Sequence, residues 1–167
     1  MTQSQIDIIK NEIASRLPYG VMVDCKLFDK PVIGQVYLWH ENDFCGVKKT
    51  DKYPDNWDSY ADWRTCGWED IKPYLRPMDS MTDGERKELL EHILSLDTER
   101  FEVTRNGGIE TVDPNDLSYV YFGAGTTSRY IDWLNKNMFD YRGLIPMGSA
   151  LPAPEGMYDF SDTTRTV

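Results

Sequence analysis

Early in the chain the apolar residues change period. Ile6, Ile9 and Ile13 recur at helical spacing with Ile8 beside them, Ser4 placed to cap and Asp7 in the first turn. This predicts an amphipathic helix over 4–16, ended by Pro18 and Gly20. From Val21 the period shortens. Residues 21–28 and 32–39 read as strands around a turn at Asp29–Pro31, and 44–48 add a third short strand. A meander of this kind must bury one face, which predicts a small barrel or a curled sheet.

Residues 49–68 read as a polar, aromatic-rich insertion. Asp51, Asp55, Asp58 and Asp62 recur at spacings of 4, 3 and 4, which lines their carboxylates along one face of a short helix starting near Pro54. Trp68 to Pro77 read as an edge strand and a Pro-punctuated connector. Thr82 with Glu85 three residues on forms a capping box, opening a helix over 83–96 whose stripe is Leu89, Leu90, Ile93 and Leu94. Residues 102–104 and 108–112 read as a hairpin across Asn106-Gly107, and Tyr119 to Phe122 as a further strand. A last helix is predicted over 128–138, with Tyr130, Ile131 and Leu134 on one face. Beyond it an irregular arm should pack its aromatics back on the body, with 161–167 frayed.

The expected architecture is α+β: an N-terminal helix, a small antiparallel meander or barrel, and a helical C-terminal half with an irregular aromatic arm. It divides into a region 1–78, carrying the acidic insertion at 49–68, and a helix–hairpin–helix region 79–167, or forms one domain.

Charge narrows the partners. The 167 residues hold 28 Asp+Glu against 18 Lys+Arg, a net −10, which argues against binding duplex nucleic acid through its phosphates. The acid is uneven: 41–70 and 97–116 each carry −4, whereas 117–154 carry +1. An anionic partner is expected near 117–154, a cationic one near 41–70.

The three cysteines, Cys25, Cys45 and Cys66, lie 20 and 21 apart. That spacing is neither a disulfide framework nor a metal knuckle, and a zinc site completed by His40 lacks the usual short ligand pairs. The cysteines therefore read as reduced structural thiols. Residues 1–18 hold no apolar run of signal-peptide type, and no stretch approaches the roughly 20 apolar residues of a membrane helix. A soluble, intracellular protein is expected.

Three constellations could carry chemistry. Pro54-Asp55 with Asp70-Ile71-Lys72 outlines a metal-dependent nuclease pattern, in which two carboxylates hold a metal and a lysine assists water, but the pattern is short and arises readily in a chain this rich in Asp and Lys. The Asp51/Asp55/Asp58/Asp62 face has helical rather than calcium-loop spacing, so it reads as solvated acid or as a mimic of a phosphate backbone. Gly123, Gly125, Thr126, Thr127, Ser128 and Arg129 combine a Gly-containing turn, hydroxyls and a cation at a helix N-terminus. With Tyr141 and Arg142 nearby, they could cradle a small phosphorylated or nucleotide-like ligand; otherwise Thr126, Thr127 or Ser128 is simply the N-cap. His40 and His92 are not poised beside a nucleophile. No catalytic residue, metal or cofactor is assigned, and Trp57, Trp63, Trp68 and Trp133 read as core or interface anchors.

Leu17-Pro-Tyr-Gly-Val21, the run from Ile71 to Asp83 (IKPYLRPMDSMTD), the run from Asp132 to Ile145 (DWLNKNMFDYRGLI) and Pro152-Ala-Pro-Glu-Gly-Met-Tyr158 resemble a family of small proteins that recurs in phages and prophages of gut Bacteroidales. The resemblance spans most of the chain, and its last block is the most specific. It implies a virus-encoded protein acting in a bacterial host cell and brings no activity with it. The chain departs from the family in carrying Asn137 and Met138 where relatives often have His, and in a longer acidic insertion. The expected function is that of a non-enzymatic phage accessory protein, with counter-defence as its expected role, binding a small nucleotide-like or phosphorylated ligand or a host protein. The alternatives are an acidic decoy for a host nucleic-acid-binding protein and, third, the nuclease. The sequence sets no oligomeric state.

Overall fold

The computed structural model describes residues 1–27, 30–39, 44–52, 63–116, 123–158 and 160. The chain is mixed α+β and falls into two compact units, Met1–Leu75 with Gly143–Val167, and Arg76–Arg142. The first break lies close to the expected one at 78. The stretch after 142, expected to belong with the second region, groups with the first.

In the first unit, helix α1 (Gln3–Arg16) starts one residue before the expected helix. Its cap is Thr2 rather than Ser4: the Thr2 hydroxyl accepts from the Gln5 N–H while the Gln5 side chain accepts from the Thr2 N–H. This T-x-x-Q box satisfies two donors that the helix would otherwise leave unpaired. Ile9 and Ile13 are fully buried, and so are Glu12 and Arg16, which form an ion pair one turn apart.

Strands β1 (Met22–Leu27), β2 (Lys30–Trp39), β3 (Phe44–Lys48) and β4 (Trp63–Gly67) run as an antiparallel meander. A single 3₁₀ turn, Trp68–Asp70, leads into β5 (Ile71–Leu75), which returns to pair antiparallel with β1. The sheet order is β4-β3-β2-β1-β5 with the two-residue β8 (Leu151–Pro152) parallel at the far side of β5. Two sequence expectations change here. The supposed insertion 49–68 contains a sheet strand, β4, and Trp68–Asp70 turn before the strand rather than opening it. β4 was hidden because the helically spaced aspartates precede it directly, whereas its own pattern is only five residues long, with Cys66 the one buried side chain among those described.

The sheet is rolled. β1 and β4 are three ladder steps apart, roughly 14 Å if the sheet were flat. Yet the Cα atoms of Cys25 in β1 and Cys66 in β4 are 6.5 Å apart and the two are joined by a disulfide. The sheet must therefore curl until its fourth strand meets its first, the curled form that the meander called for. The inward residues Val23, Cys25, Val36, Cys45, Val47 and Ile71 are buried within it. The disulfide overturns the expectation of three reduced thiols: only Cys45 is free, and it is buried.

The stretch after 142 is tied to this sheet by specific bonds. The Tyr158 hydroxyl donates to the Tyr74 carbonyl (2.8 Å) and accepts from the Met22 N–H (3.0 Å). Lys52 Nζ donates to the carbonyls of Gly156 and Met157.

In the second unit, α2 (Asp83–Glu88) opens with the expected Thr82/Glu85 capping box. It then widens into a π-helical turn, Leu89–Leu94, which ends at Ser95 in the left-handed region (φ 57°). Strands β6 (Phe101–Val103) and β7 (Ile109–Thr111) form a separate hairpin. Its loop requires a glycine at 107: φ is +81°, and a Cβ there would collide with the Met78 side chain. Helix α3 (Ala124–Lys136) closes the unit, and its Trp133 and Leu134 pack with Leu89, Leu90, Phe101 and Phe139. Among the described residues no helix is long and apolar enough to cross a membrane. The strand expected at 119–122 and the helix expected near Pro54 lie outside the described residues.

Candidate functional site

The segment singled out for ligand binding is built differently from its sequence reading. Helix α3 begins at Ala124, so Gly125, Thr126, Thr127, Ser128 and Arg129 lie within it rather than ahead of it. Gly123 is the N-cap, extended and without a side-chain cap bond, and its carbonyl accepts from the N–H groups of Thr126 and Thr127 (both 3.0 Å). None of the three hydroxyl residues is therefore the cap. A Gly-Ala-Gly start is a poor helix former on propensity, but packing further along anchors the helix. The Tyr130 hydroxyl donates to the Gly107 carbonyl (2.7 Å), and Trp133 Nε1–H donates to Glu88 (3.1 Å). The Trp133 ring also stacks on Phe139 at 5.7 Å. Burial pushes the Tyr130 phenol above its ordinary pKa.

Helical geometry then decides what the segment can hold. Consecutive residues rotate by about 100°, so the side chains of Thr126, Thr127 and Ser128 spread over about 200° of the helix surface. They do not converge on one small ligand. Thr126 is half-buried, while Thr127, Ser128 and Arg129 are exposed. Arg129, Asp132 and Lys136 share the outer face, opposite Tyr130 and Leu134.

Tyr141 and Arg142 follow α3 after a Schellman-type close. The N–H of Phe139 donates to the Leu134 carbonyl (3.0 Å) and that of Met138 to the Asn135 carbonyl (3.1 Å). Met138, not glycine, takes the left-handed position (φ 59°), and its side chain is fully buried. The Arg142 guanidinium lies over the Tyr141 ring at 5.3 Å, a cation–π contact on an exposed side chain.

This end of the unit is fixed by Arg76. Its guanidinium makes a two-pronged bond to Glu85 (2.7 and 3.0 Å) and covers the Phe139 ring at 4.2 Å. Its backbone brackets Phe139, donating to the Met138 carbonyl and accepting from the Asp140 N–H (both 2.8 Å). Burial alone would raise the Glu85 pKa, but the bonds from Arg76 and Thr82 outweigh it and hold the carboxyl below its ordinary value. The Arg76–Glu85–Phe139 arrangement escaped the sequence reading because its members lie far apart along the chain.

The acidic residues divide. Asp51 is exposed in a turn after β3, whereas Asp55, Asp58 and Asp62 lie outside the described residues. Of the nuclease pattern, Asp70 is exposed at the end of the 3₁₀ turn and Lys72 stands on β5 opposite Asp24 of β1. Burial raises the Asp24 pKa, opposed by Lys26 and Lys72. Among the described residues no three His, Cys, Asp or Glu side chains are grouped to hold a metal ion. His92 is exposed on the π-helical turn, and His40 lies outside the described residues. Trp68 and Trp133 are buried anchors, Trp63 is exposed on β4, and Trp57 lies outside the described residues.

The hairpin carries an acidic surface of its own. Glu102 and Glu110 are direct cross-strand partners and both are exposed. Like charges placed opposite one another cost stability. Glu99, Asp97 and Asp113 add to the same stretch of chain.

No protein-family model, no curated protein and no solved structure matches the chain.

Proposed function

We propose that the chain is a non-enzymatic phage accessory protein that binds a host protein through the outer face of α3, with counter-defence as its role in the bacterial host cell. The observation that carries this reading is the exposure of Arg129 and Lys136 on one face of a helix whose other face is committed to the core. That face lies in the stretch 117–154, at +1 the only one to stand on the positive side in a chain of −10. An open helix face suits a protein surface with acidic groups, and arginine is among the residues enriched at such interfaces. The divergence of Thr126, Thr127 and Ser128 favours this partner over an enclosed phosphorylated ligand. The resemblance to phage proteins supplies the setting.

The test is co-purification from host cells expressing the full chain, alongside Arg129→Glu with Lys136→Glu. One host protein retained by the native chain and lost from the double variant supports the reading; identical retention overturns it. Native mass spectrometry with host nucleotides provides the contrast. A nucleotide retained by the native chain and lost on Arg129→Ala would move the reading to the small-ligand form.

A second reading, the acidic decoy, is favoured by one observation: the opposed Glu102 and Glu110, a like-charge pair kept on the surface despite its cost. In that case Glu102→Lys with Glu110→Lys abolishes binding and the α3 variant does not.

A further inference from the structure

The cysteines stand on three different strands, yet they meet around one of their number. Cys66 of β4 is bonded to Cys25 of β1 across the roll and is at the same time the direct ladder partner of Cys45 of β3. Directly opposed residues of an antiparallel pair project to the same face, with Cα atoms about 4.5–5.5 Å apart. That spacing lies inside the roughly 4.4–6.8 Å that a disulfide spans. Cys66 therefore has two partners within reach, and all three side chains are buried: Cys25 and Cys45 at 0% exposure and Cys66 at 3%.

We propose that Cys66 is a shared partner and that its disulfide migrates between Cys25 and Cys45, acting as an internal latch on the rolled sheet. The Cys45 thiolate attacks Sγ of Cys66, the Cys25–Cys66 bond breaks, and a Cys45–Cys66 bond forms. Cys25 leaves as a thiolate and takes up the proton that Cys45 released, so no oxidant or reductant is consumed. The two bonded states differ mechanically. Cys25–Cys66 ties β4 to β1 and closes the roll covalently. Cys45–Cys66 ties β4 only to β3, its hydrogen-bonded neighbour, and leaves closure to packing. Burial pushes the Cys45 thiol up to about 12, so thiolate is scarce while the sheet is closed. Migration is thereby coupled to movement of β4, which stands at the end of the sheet order.

Cys25→Ala tests this, incubated as the full chain in a glutathione redox buffer and mapped by non-reducing peptide mass spectrometry. The expected result is a Cys45–Cys66 disulfide in most molecules with the sheet signal of circular dichroism retained. A retained sheet with both thiols alkylatable overturns the proposal. Should the variant lose its sheet, the native chain decides: it is reduced, reoxidised in the same buffer and quenched with acid at intervals. Both Cys25–Cys66 and Cys45–Cys66 species are then expected, and Cys25–Cys66 alone at every time point overturns the latch.

Discussion

Reduction of the Cys25–Cys66 bond is the perturbation whose size follows most directly from the structure. The bond closes a loop with a sequence separation of 41. Loop-closure entropy for that length is about 13 cal/mol/K, or about 4 kcal/mol at 25 °C, by which the unfolded chain gains when the bond is cut. Every 1.4 kcal/mol is about tenfold in an equilibrium, so opening of the rolled sheet should become roughly 10³-fold more frequent. The cost is also local, because all three cysteines lie in the unit of Met1–Leu75 with Gly143–Val167 and none in Arg76–Arg142. Hydrogen exchange read by mass spectrometry, with and without excess phosphine reductant, resolves the two. Peptides from β1, β3 and β4 should lose most of their protection, while those from α2, the π-helical turn and α3 keep theirs. Unchanged protection in β1 and β4 would refute the view that the bond holds the roll, and equal loss in both units would refute its confinement to one.

Three further outcomes are expected. Glu85→Gln should destabilise the second unit by about 1–2 kcal/mol in chemical denaturation, since it removes a charged acceptor from both Arg76 and Thr82. Because the folded Glu85 pKa lies below its ordinary 4.5, the stabilisation is complete above that pH and is lost as pH falls through the folded value; the variant should show a shallower acid-side loss, and a parallel one would contradict the assignment. Ser95→Gly relieves a left-handed residue at an exposed helix end and should stabilise by about 0.5–1 kcal/mol, seen as a rise in Tm, whereas a fall would show that the serine holds the turn in another way. Glu12→Gln leaves Arg16 buried without its counter-charge and should cost about 3–5 kcal/mol by urea titration, while a loss below about 1 kcal/mol would mean that the pair is not desolvated in solution.

The parts of this fold that were legible in the sequence are those made by neighbours along the chain. The Thr82/Glu85 box marked its helix because cap and acceptor are three residues apart, and Asn106-Gly107 marked its hairpin because only glycine suits the loop. α1 was placed within a residue, but its T-x-x-Q cap was passed over for Ser4, an equally good capping residue by type. What needed distant partners was not legible. β4 carries too little alternation to announce itself beside a run of helically spaced aspartates. The disulfide depends on the sheet curling through three ladder steps, which spacings of 20 and 21 do not encode. The candidate site suffered most: Gly-Ala-Gly-Thr-Thr-Ser looks like a phosphate-binding turn by composition, and only the packing of Tyr130 and Trp133 makes it the first turns of a helix.

Binding is proposed to belong to the outer face of α3. A photo-cross-linking amino acid placed at Ser128, on that face, and in a second protein at Glu102, on the hairpin, separates the readings inside living host cells. A covalent adduct with one host protein is expected from Ser128 and none from Glu102. An adduct from Glu102 alone, or the same adducts from both positions, would contradict this.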